Sequence, residues 1–477
     1  MAFPTILFNS VTGTVLSSGA GPSTALSGSV DASTDGTGLI VTLTAGTDLT
    51  NVSTLGDHVI FLNDATAGNR NFGSIINKAG SGGATPTVTV SSAFGAGLAG
   101  KDWAIGGIRK AIGATEAKKL FDNNGASGDA MPGWIMEMQS GHTETIAATF
   151  DIRRAGDRTS GPITLRGAAG AVTLPILTFS NNGNAIVMRN NYWFLQDFEM
   201  RNTNATKTAS VAMIGAGTGS MVTVTRVVIA HSTDKFWKAI TPANSGWYVR
   251  DCNIGFCAAT GIETMGLNCR VVGNWIHDCT SHGINNASTS AIGLFFCGNL
   301  VETNGGDGFH FTDTGANDLG GGYIFIGNTI AYNTGDGIEF AQNNGTLDRP
   351  MEQMLVINNI FANNGGWGLN LSGTGWTDTS FATMEIDCTY NDFFTNSAGA
   401  LGGSGSALTL PATNSTLDPQ FVDQANADYA IGTNVAALGF PGSRNIGANL
   451  SSTKSYRDIG VAQRQAGGGS GYLLVAP

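Results

Sequence analysis

Basic residues are scarce in this chain: 24 Lys and Arg among 477 residues, against 35 Asp and Glu, for a formal net charge of −11 at pH 7. A nucleic-acid binder needs a basic patch to meet phosphates, and no Lys/Arg run supplies one, so no nucleic-acid partner is expected. Charge of either sign is low, at 12%, while 42% of residues are hydrophobic, the reverse of a disordered composition. No window approaches the ~20 apolar residues of a membrane span. The opening MAFPTILFNSVTG lacks a basic n-region and a long apolar stretch, so no signal peptide is expected, and folding in the cytoplasm is. Only six cysteines occur, Cys252, Cys257, Cys269, Cys279, Cys297 and Cys388, without the CxxC-like clustering of a metal site. No phosphate loop, dinucleotide fingerprint or nucleophile elbow appears, the last being absent around Ser404 in GSGSAL. No metal or cofactor is expected.

Glycine, at 68 residues, and asparagine fill a repeat instead. GNWIHDCTSHGIN, GNLVETNGGDGFH, GNTIAYNTGDGIE, NNIFANNGGWGLN and YNDFFTNSAGALG align on Asn274, Asn299, Asn328, Asn359 and Asn391. Nine residues on, they align again on Gly283, Gly308, Gly337, Gly368 and Ala400. The Asn positions are 25, 29, 31 and 32 residues apart, so each unit reads as one turn of a coil with a loop of growing length. A unit of this size cannot bury its apolar side alone and must stack on its neighbours. Apolar residues fall two past the Asn column (Ile276, Val301, Ile330, Phe361, Phe393) and one past the Gly column (Ile284, Phe309, Ile338, Leu369, Leu401), with polar neighbours. That period of two marks strands with one buried face. A second column, five past the first, holds Cys257, Cys279, Asn304, Asn333, Asn364 and Asn396. Both columns are expected to be interior ladders in which stacked amides satisfy one another and the thiols replace Asn.

Short stacked strands with Asn and Gly at the corners, over roughly residues 160 to 430, resemble the right-handed parallel β-helix family that includes pectate lyases and phage tailspikes. The resemblance implies an all-β fold with a right-handed parallel β-helix over 133–430. Ahead of it, residues 1–110 (TGLIVTLTAG, DHVIFLND, PTVTVSSAF, closing at Trp103) read as a small N-terminal β module for docking or anchoring. RKAIGATEAKKLFDNNG, with Ala111, Ala114, Ala117, Leu120 and Phe121 on one stripe, predicts a capping helix within 111–132 that covers the open end of the stack. Residues 431–477 form a closing segment and Gly-rich tail, and LDPQFVD is similar to segments that pack over the last turn of such coils.

Chemistry is expected on one outward face. The position before the Gly column carries Thr260, His282, Asp307, Asp336 and Trp367; the position two after it carries Glu263, Asn285, His310, Glu339 and Asn370. Rungs stand ~4.8 Å apart, so Asp307 and Asp336 become neighbours, with His310 beside Glu339. The catalytic candidates are Asp307, Asp336, Glu339 and His310, since carboxylates in contact push one pKa up. The ligand-binding candidates are His282, Trp367 and Glu263, with Tyr332 as a further stacking surface. The alternative is turn chemistry: the two GDG triplets suit a turn without any ligand.

The organisation, a β module ahead of a β-helix with no signal sequence, resembles bacteriophage virion proteins of the tailspike or decoration type. That resemblance implies location in the virion, assembly in the host cytoplasm, contact with other virion proteins through the first module, host polysaccharide as a possible ligand and a homotrimer. A polysaccharide lyase or glycoside hydrolase, and a non-enzymatic adhesin or spacer, stay open as alternatives. A lyase of the pectate kind wants an Arg or Lys base beside clustered acids, and Arg250, Arg270 and Arg349 are the only basic residues of the repeat region.

Overall fold

A computed structural model describes residues 5–10, 26–29, most of 32–109, then 120–341, 354–373, 386–403, 409–423 and 428–431, apart from short breaks within those ranges, the longest at 313–321. Every regular element among them is a β-strand. Contacts divide the chain into two compact units, Met1–Thr206 with Met213–Thr223, and Lys207–Ala212 with Val224–Pro477.

In the first unit an antiparallel seven-stranded sheet has the order Leu26–Ser29, Asp102–Ile105, Val59–Leu62, Phe72–Ala79, Thr87–Val90, Ile40–Thr42, Ala32–Ser33. Val41, Ile60, Leu62, Ile75, Val88, Val90, Phe94 and Trp103 form its own buried core, which gives the N-terminal β module of the sequence a physical basis. Parallel pairing begins alongside it: Ile135–Met138 pairs with Ile163–Gly167, and that strand with Trp193–Gln196. The first of these also pairs in parallel with Thr5–Phe8, so the chain's opening residues belong to the coil's sheet.

The helix expected within 111–132 falls mainly on 110–119, which lie outside the described residues. The described part departs from it: Leu120 and Phe121 sit in a turn, and Asp122–Asn123 pairs antiparallel with Ala126–Ser127. Phe121 stacks on Phe150 at 5.2 Å and packs against Trp193 at 5.9 Å. A buried aromatic therefore meets the first turns where a helix was expected. Leucine and phenylalanine bury well in either conformation, so an apolar stripe alone does not select a helix.

The second unit is the regular coil. Three parallel sheets run along it. The first holds Tyr248–Arg250, Arg270–Val272, Phe295–Cys297, Ile324–Ile326, Met354–Ile357 and Ile386–Thr389. The second begins at Val228–Ala230 and Asn253–Gly255 and continues through Trp275–His277, Leu300–Glu302, Thr329–Ala331, Ile360–Ala362 and Asp392–Phe394. The third holds Lys238–Thr241, Ile262–Glu263, Ile284–Asn286, Phe309–Thr312, Ile338–Ala341, Trp367–Ser372 and Gly399–Gly403. The pairing register reproduces both sequence columns; Phe309 faces Ile338, and Ile338 faces Leu369.

Two corners flank the second sheet, and each pairs a left-handed residue with a buried polar one. Asp251, Gly273, Gly298, Gly327, Asn358 and Tyr390 precede Cys252, Asn274, Asn299, Asn328, Asn359 and Asn391; Phe256, Asp278, Thr303, Tyr332, Asn363 and Thr395 precede the second column, all with φ between 50° and 66°. The strain this places on non-glycine residues is offset by the ladders. Asn299 donates Nδ2–H to Asn328 Oδ1 at 2.9 Å and to the Val271 carbonyl at 2.8 Å, while its own amide hydrogen meets the same Oδ1 at 3.0 Å. Asn304, Asn333 and Asn364 repeat this in the second column. Cys279 enters that ladder through its backbone N–H to Asn304 Oδ1, and Cys257 through a side-chain hydrogen bond with Cys279; both thiols are buried and outside any disulfide.

The Gly column exists for clearance. A Cβ on Gly308 would lie 2.6 Å from Ile330 Cγ2 and 3.0 Å from Asn333 Nδ2, inside the core of the next turn.

The end of the coil is closed by residues that do not repeat. Asn414 Oδ1 accepts the Asn391 amide and Nδ2 hydrogens at 2.8 and 3.0 Å, adding one more member to the ladder. Ser415 Oγ donates to Asp392 Oδ1 at 2.6 Å, and the Leu417 N–H donates to the same oxygen at 3.0 Å. Phe421 does not pack over the last turn as expected from LDPQFVD but on the outer side of the second sheet, with the cluster of Leu300, Ala331, Ile360 and Ala362. LDPQFVD thus runs along the sheet's flank.

Candidate functional site

The third sheet turns Glu263, Asn285, His310, Glu339 and Asn370 outward in one register, each paired with the next. The column before the glycines brings His282, Asp307, Asp336 and Trp367 beside them. Of the residues expected here from sequence, His282, Asp307, His310, Asp336 and Glu339 form one network. Trp367 adjoins it, because its backbone N–H donates to Asp336 Oδ1 at 2.5 Å. Glu263 stands apart, two rungs from His310 and held by the Lys238 ammonium at 2.5 Å. Tyr332 lies on the other side of the coil, against the second-sheet cluster.

His310 is the centre. Its Nδ1 lies 2.8 Å from Asp307 Oδ2 and 2.8 Å from Glu339 Oε2, and Nε2 meets Thr312 Oγ1 at 2.5 Å. His282 stacks on it with ring centroids 4.2 Å apart and planes at 17°. The His282 Nδ1 is 3.0 Å from the Asp307 amide nitrogen and 3.1 Å from Asp307 Oδ2. When neutral it accepts the amide hydrogen; when protonated it donates to the carboxylate.

A ladder explains the aspartates. The Asp307 amide hydrogen goes to His282 Nδ1, the Asp336 amide to Asp307 Oδ1 at 2.6 Å, and the Trp367 amide to Asp336 Oδ1. Each side chain before the glycine column therefore caps the backbone of the next turn. Their second oxygens point into the network: Asp336 Oδ2 accepts from Asn370 Nδ2 at 2.6 Å, and Glu339 Oε1 from Ser372 Oγ at 2.8 Å. This capping role was not legible from spacing. Thr312 and Ser372, each two residues past the predicted column, carried no signal at all.

Burial alone would raise the Asp307 carboxyl, but the imidazoles of His282 and His310 and the Asp336 amide outweigh it and hold the group well below the usual carboxylate range. Burial works against the His310 imidazolium, yet hydrogen bonds and charge from Asp307 and Glu339 carry its pKa up to about 9. Asp336 moves the other way from Asp307: burial raises it, the Trp367 and Asn370 hydrogen bonds oppose, and the charges of Asp307 and Glu339 add to the rise. Two neighbouring carboxyls pushed apart in this way are the usual ground for assigning an acid and a base.

Asp307, Asp336 and Glu339 present oxygens within 4.8 Å of one another, as do ligand atoms of His282, Asp307 and His310. A hard cation wants six to eight oxygen ligands. Here four of the six carboxylate oxygens accept from a backbone N–H, Asn370 or Ser372, and the other two, Asp307 Oδ2 and Glu339 Oε2, share the single Nδ1–H of His310. The network as it stands suits a resident cation poorly.

Trp367 lies flat on the next turn. Its ring sits where a Cβ on Gly399 or Gly402 would be, so these glycines make the bed for the indole. Trp367 is half-buried there.

Fold and face together define a parallel β-helix protein with one polar flank built from imidazoles and carboxylates. No family model and no curated protein matches the chain. Among solved structures, pectate lyase Pel9A is similar over 64% of this chain and 78% of its own, at 15% identity and a TM-score of 0.46. A rhamnogalacturonan lyase is similar over 66% and 92%, at 12% and 0.40. ORF18 of Geobacillus virus E2 is similar over 64% and 58%, at 14% and 0.35. At such identities the likeness concerns the β-helix alone.

Proposed function

We propose that the chain is a carbohydrate-binding β-helix protein of a bacteriophage virion, tailspike- or decoration-type, whose third-sheet face engages a host-surface glycan. One observation carries the ligand: an unbroken outward row of hydrogen-bonding side chains, Asn285, His310, Glu339 and Asn370, ending beside an indole laid flat on glycine. Sugar recognition asks for such a row of directional donors and acceptors next to an aromatic plane. The virion reading is supported by the separately cored antiparallel sheet at the chain's start, which suits docking on a particle. Homotrimer formation and assembly in the host cytoplasm belong to the same proposal. Incubation with a panel of capsular and cell-wall polysaccharides tests the ligand, and immunogold labelling of purified particles tests the location. Retention of no polysaccharide, or absence of label from particles, overturns the respective half.

Hydrolysis is a second reading, favoured by the opposite displacement of Asp307 and Asp336. Asp336 would hold the proton for the leaving group and Asp307 or Glu339 the charge. The nearest oxygens of Asp307, Asp336 and Glu339 lie within 4.8 Å of one another, a closeness that favours the retaining arrangement, with carboxyls ~5–5.5 Å apart, over the inverting one at ~6.5–9.5 Å. New reducing ends that vanish in Asp336→Asn would establish it.

A further inference from the structure

We infer that the ligand of the third-sheet face is an uncharged glycan, recognised through its hydroxyls and one apolar ring face, and not a uronate-, sialate- or sulfate-bearing polysaccharide. This rests on the reading of that face as a glycan site and adds the chemical class.

The argument is one of charge and shape. Among the described strands of the third sheet in the second unit, Lys238 is the one Lys or Arg, and its ammonium is committed to Glu263 at 2.5 Å. The remaining cationic groups are the two stacked imidazoles: His310 Nδ1 is enclosed between Asp307 Oδ2 and Glu339 Oε2, and His282 Nδ1 lies 3.1 Å from Asp307 Oδ2. Three carboxyls against two imidazoles, each with its Nδ1 held at Asp307, leave an anionic ligand no free positive partner on these strands, and its own charge would face Asp307 and Glu339. A bridging cation would be the remaining route for an anion, but it would have to displace the His310 imidazole, which already sits between Asp307 Oδ2 and Glu339 Oε2. Neutral hydroxyls have no such difficulty. Carboxylates keep further lone pairs for O–H donors. Trp367, bedded on Gly399 and Gly402, adds a rigid apolar plane for the C–H face of a pyranose. The same shortage of cations argues against eliminative cleavage, in which the carboxylate beside the abstracted proton must be neutralised.

Equilibrium binding of the full-length protein to neutral polysaccharides (galactomannan, dextran, neutral O-antigens) and to uronates (polygalacturonate, alginate, hyaluronate) tests the inference, each with and without chelator and added salt. Binding confined to neutral glycans, indifferent to chelator and salt, and weakened about tenfold in Trp367→Ala is the expected result. Glu339→Gln, which keeps the shape of the side chain, should still refuse uronates. Uronate binding by the wild type, lost on chelation or in salt, overturns the inference while leaving a glycan site in place. Binding of neither class overturns the glycan reading itself, and the inference with it.

Discussion

Replacing Asn328 with Leu probes the interior ladder where water cannot compensate. Asn328 Oδ1 accepts both the amide and an Nδ2 hydrogen of Asn299, at 3.0 and 2.9 Å, and its Nδ2 donates to Asn359 Oδ1 at 2.9 Å and to the Phe296 carbonyl at 3.1 Å. Leucine supplies none of these. Asn359 Oδ1 keeps the backbone N–H of residue 328 as a donor, at 2.9 Å. Asn299 fares worse, losing the partner of its amide and of one Nδ2 hydrogen at a site with no exposure. At about 1–3 kcal/mol for each buried donor left unpaired, the cost is about 2–6 kcal/mol, less what leucine regains by burying apolar surface. Asn414→Leu is the control, because it breaks the same kind of bonds to Asn391 at a part-buried end where water can replace them. Urea denaturation, with m-values compared to exclude a changed unfolded state, reads both variants. The reasoning fails if Asn328→Leu is as stable as wild type or costs no more than Asn414→Leu.

Three further outcomes are expected. Asp392 is buried at the closing segment, and burial, aided by the charge of Asp418, pushes its carboxyl up to about 6 against the hydrogen bonds from Ser415 and Leu417. A carboxyl raised on folding binds its proton more tightly in the native state, so its effect is to increase stability as pH falls from about 7 to 4; melting temperatures of Asp392→Asn across that range should show this contribution gone and neutral-pH stability raised. The His310 imidazolium works in the opposite direction: its stabilisation is complete below the ordinary histidine range and is lost as pH rises through about 9, a loss that His310→Gln should abolish in the same melting series. Thr395 is exposed with φ 50°, a poor conformation for a β-branched residue, and Thr395→Gly should stabilise by about 1 kcal/mol in denaturant titrations.

Repetition made the coil legible. The Asn and Gly columns set the register, and with it the meeting of Asp307, His310, Asp336 and Glu339, because a parallel ladder places equivalent residues side by side. What repetition could not carry was lost. Asn414 extends the ladder from a stretch, LPATNST, that shares no other column with the repeat, and Thr5–Phe8 pairs with a strand about 130 residues later. The Asp307 and Asp336 capping bonds need side-chain geometry, since GDG spells a turn whether or not the carboxylate reaches the next rung. Turn chemistry and an outward polar network therefore coexist there: one oxygen of each aspartate holds the backbone while the other joins the network. The capping helix was read from an apolar stripe, and its described remainder, Leu120 and Phe121, buries the same side chains from a turn.

Hydrogen–deuterium exchange of the full-length protein, with and without a polysaccharide it retains, tests the functional account most directly. Protection on binding should concentrate in residues 307–312, 338–341 and 367–372, and Asp307→Asn with Asp336→Asn should weaken that protection while the Asn ladders exchange as slowly as before. Protection confined to the first or second sheet, with the third-sheet strands unchanged, would contradict it.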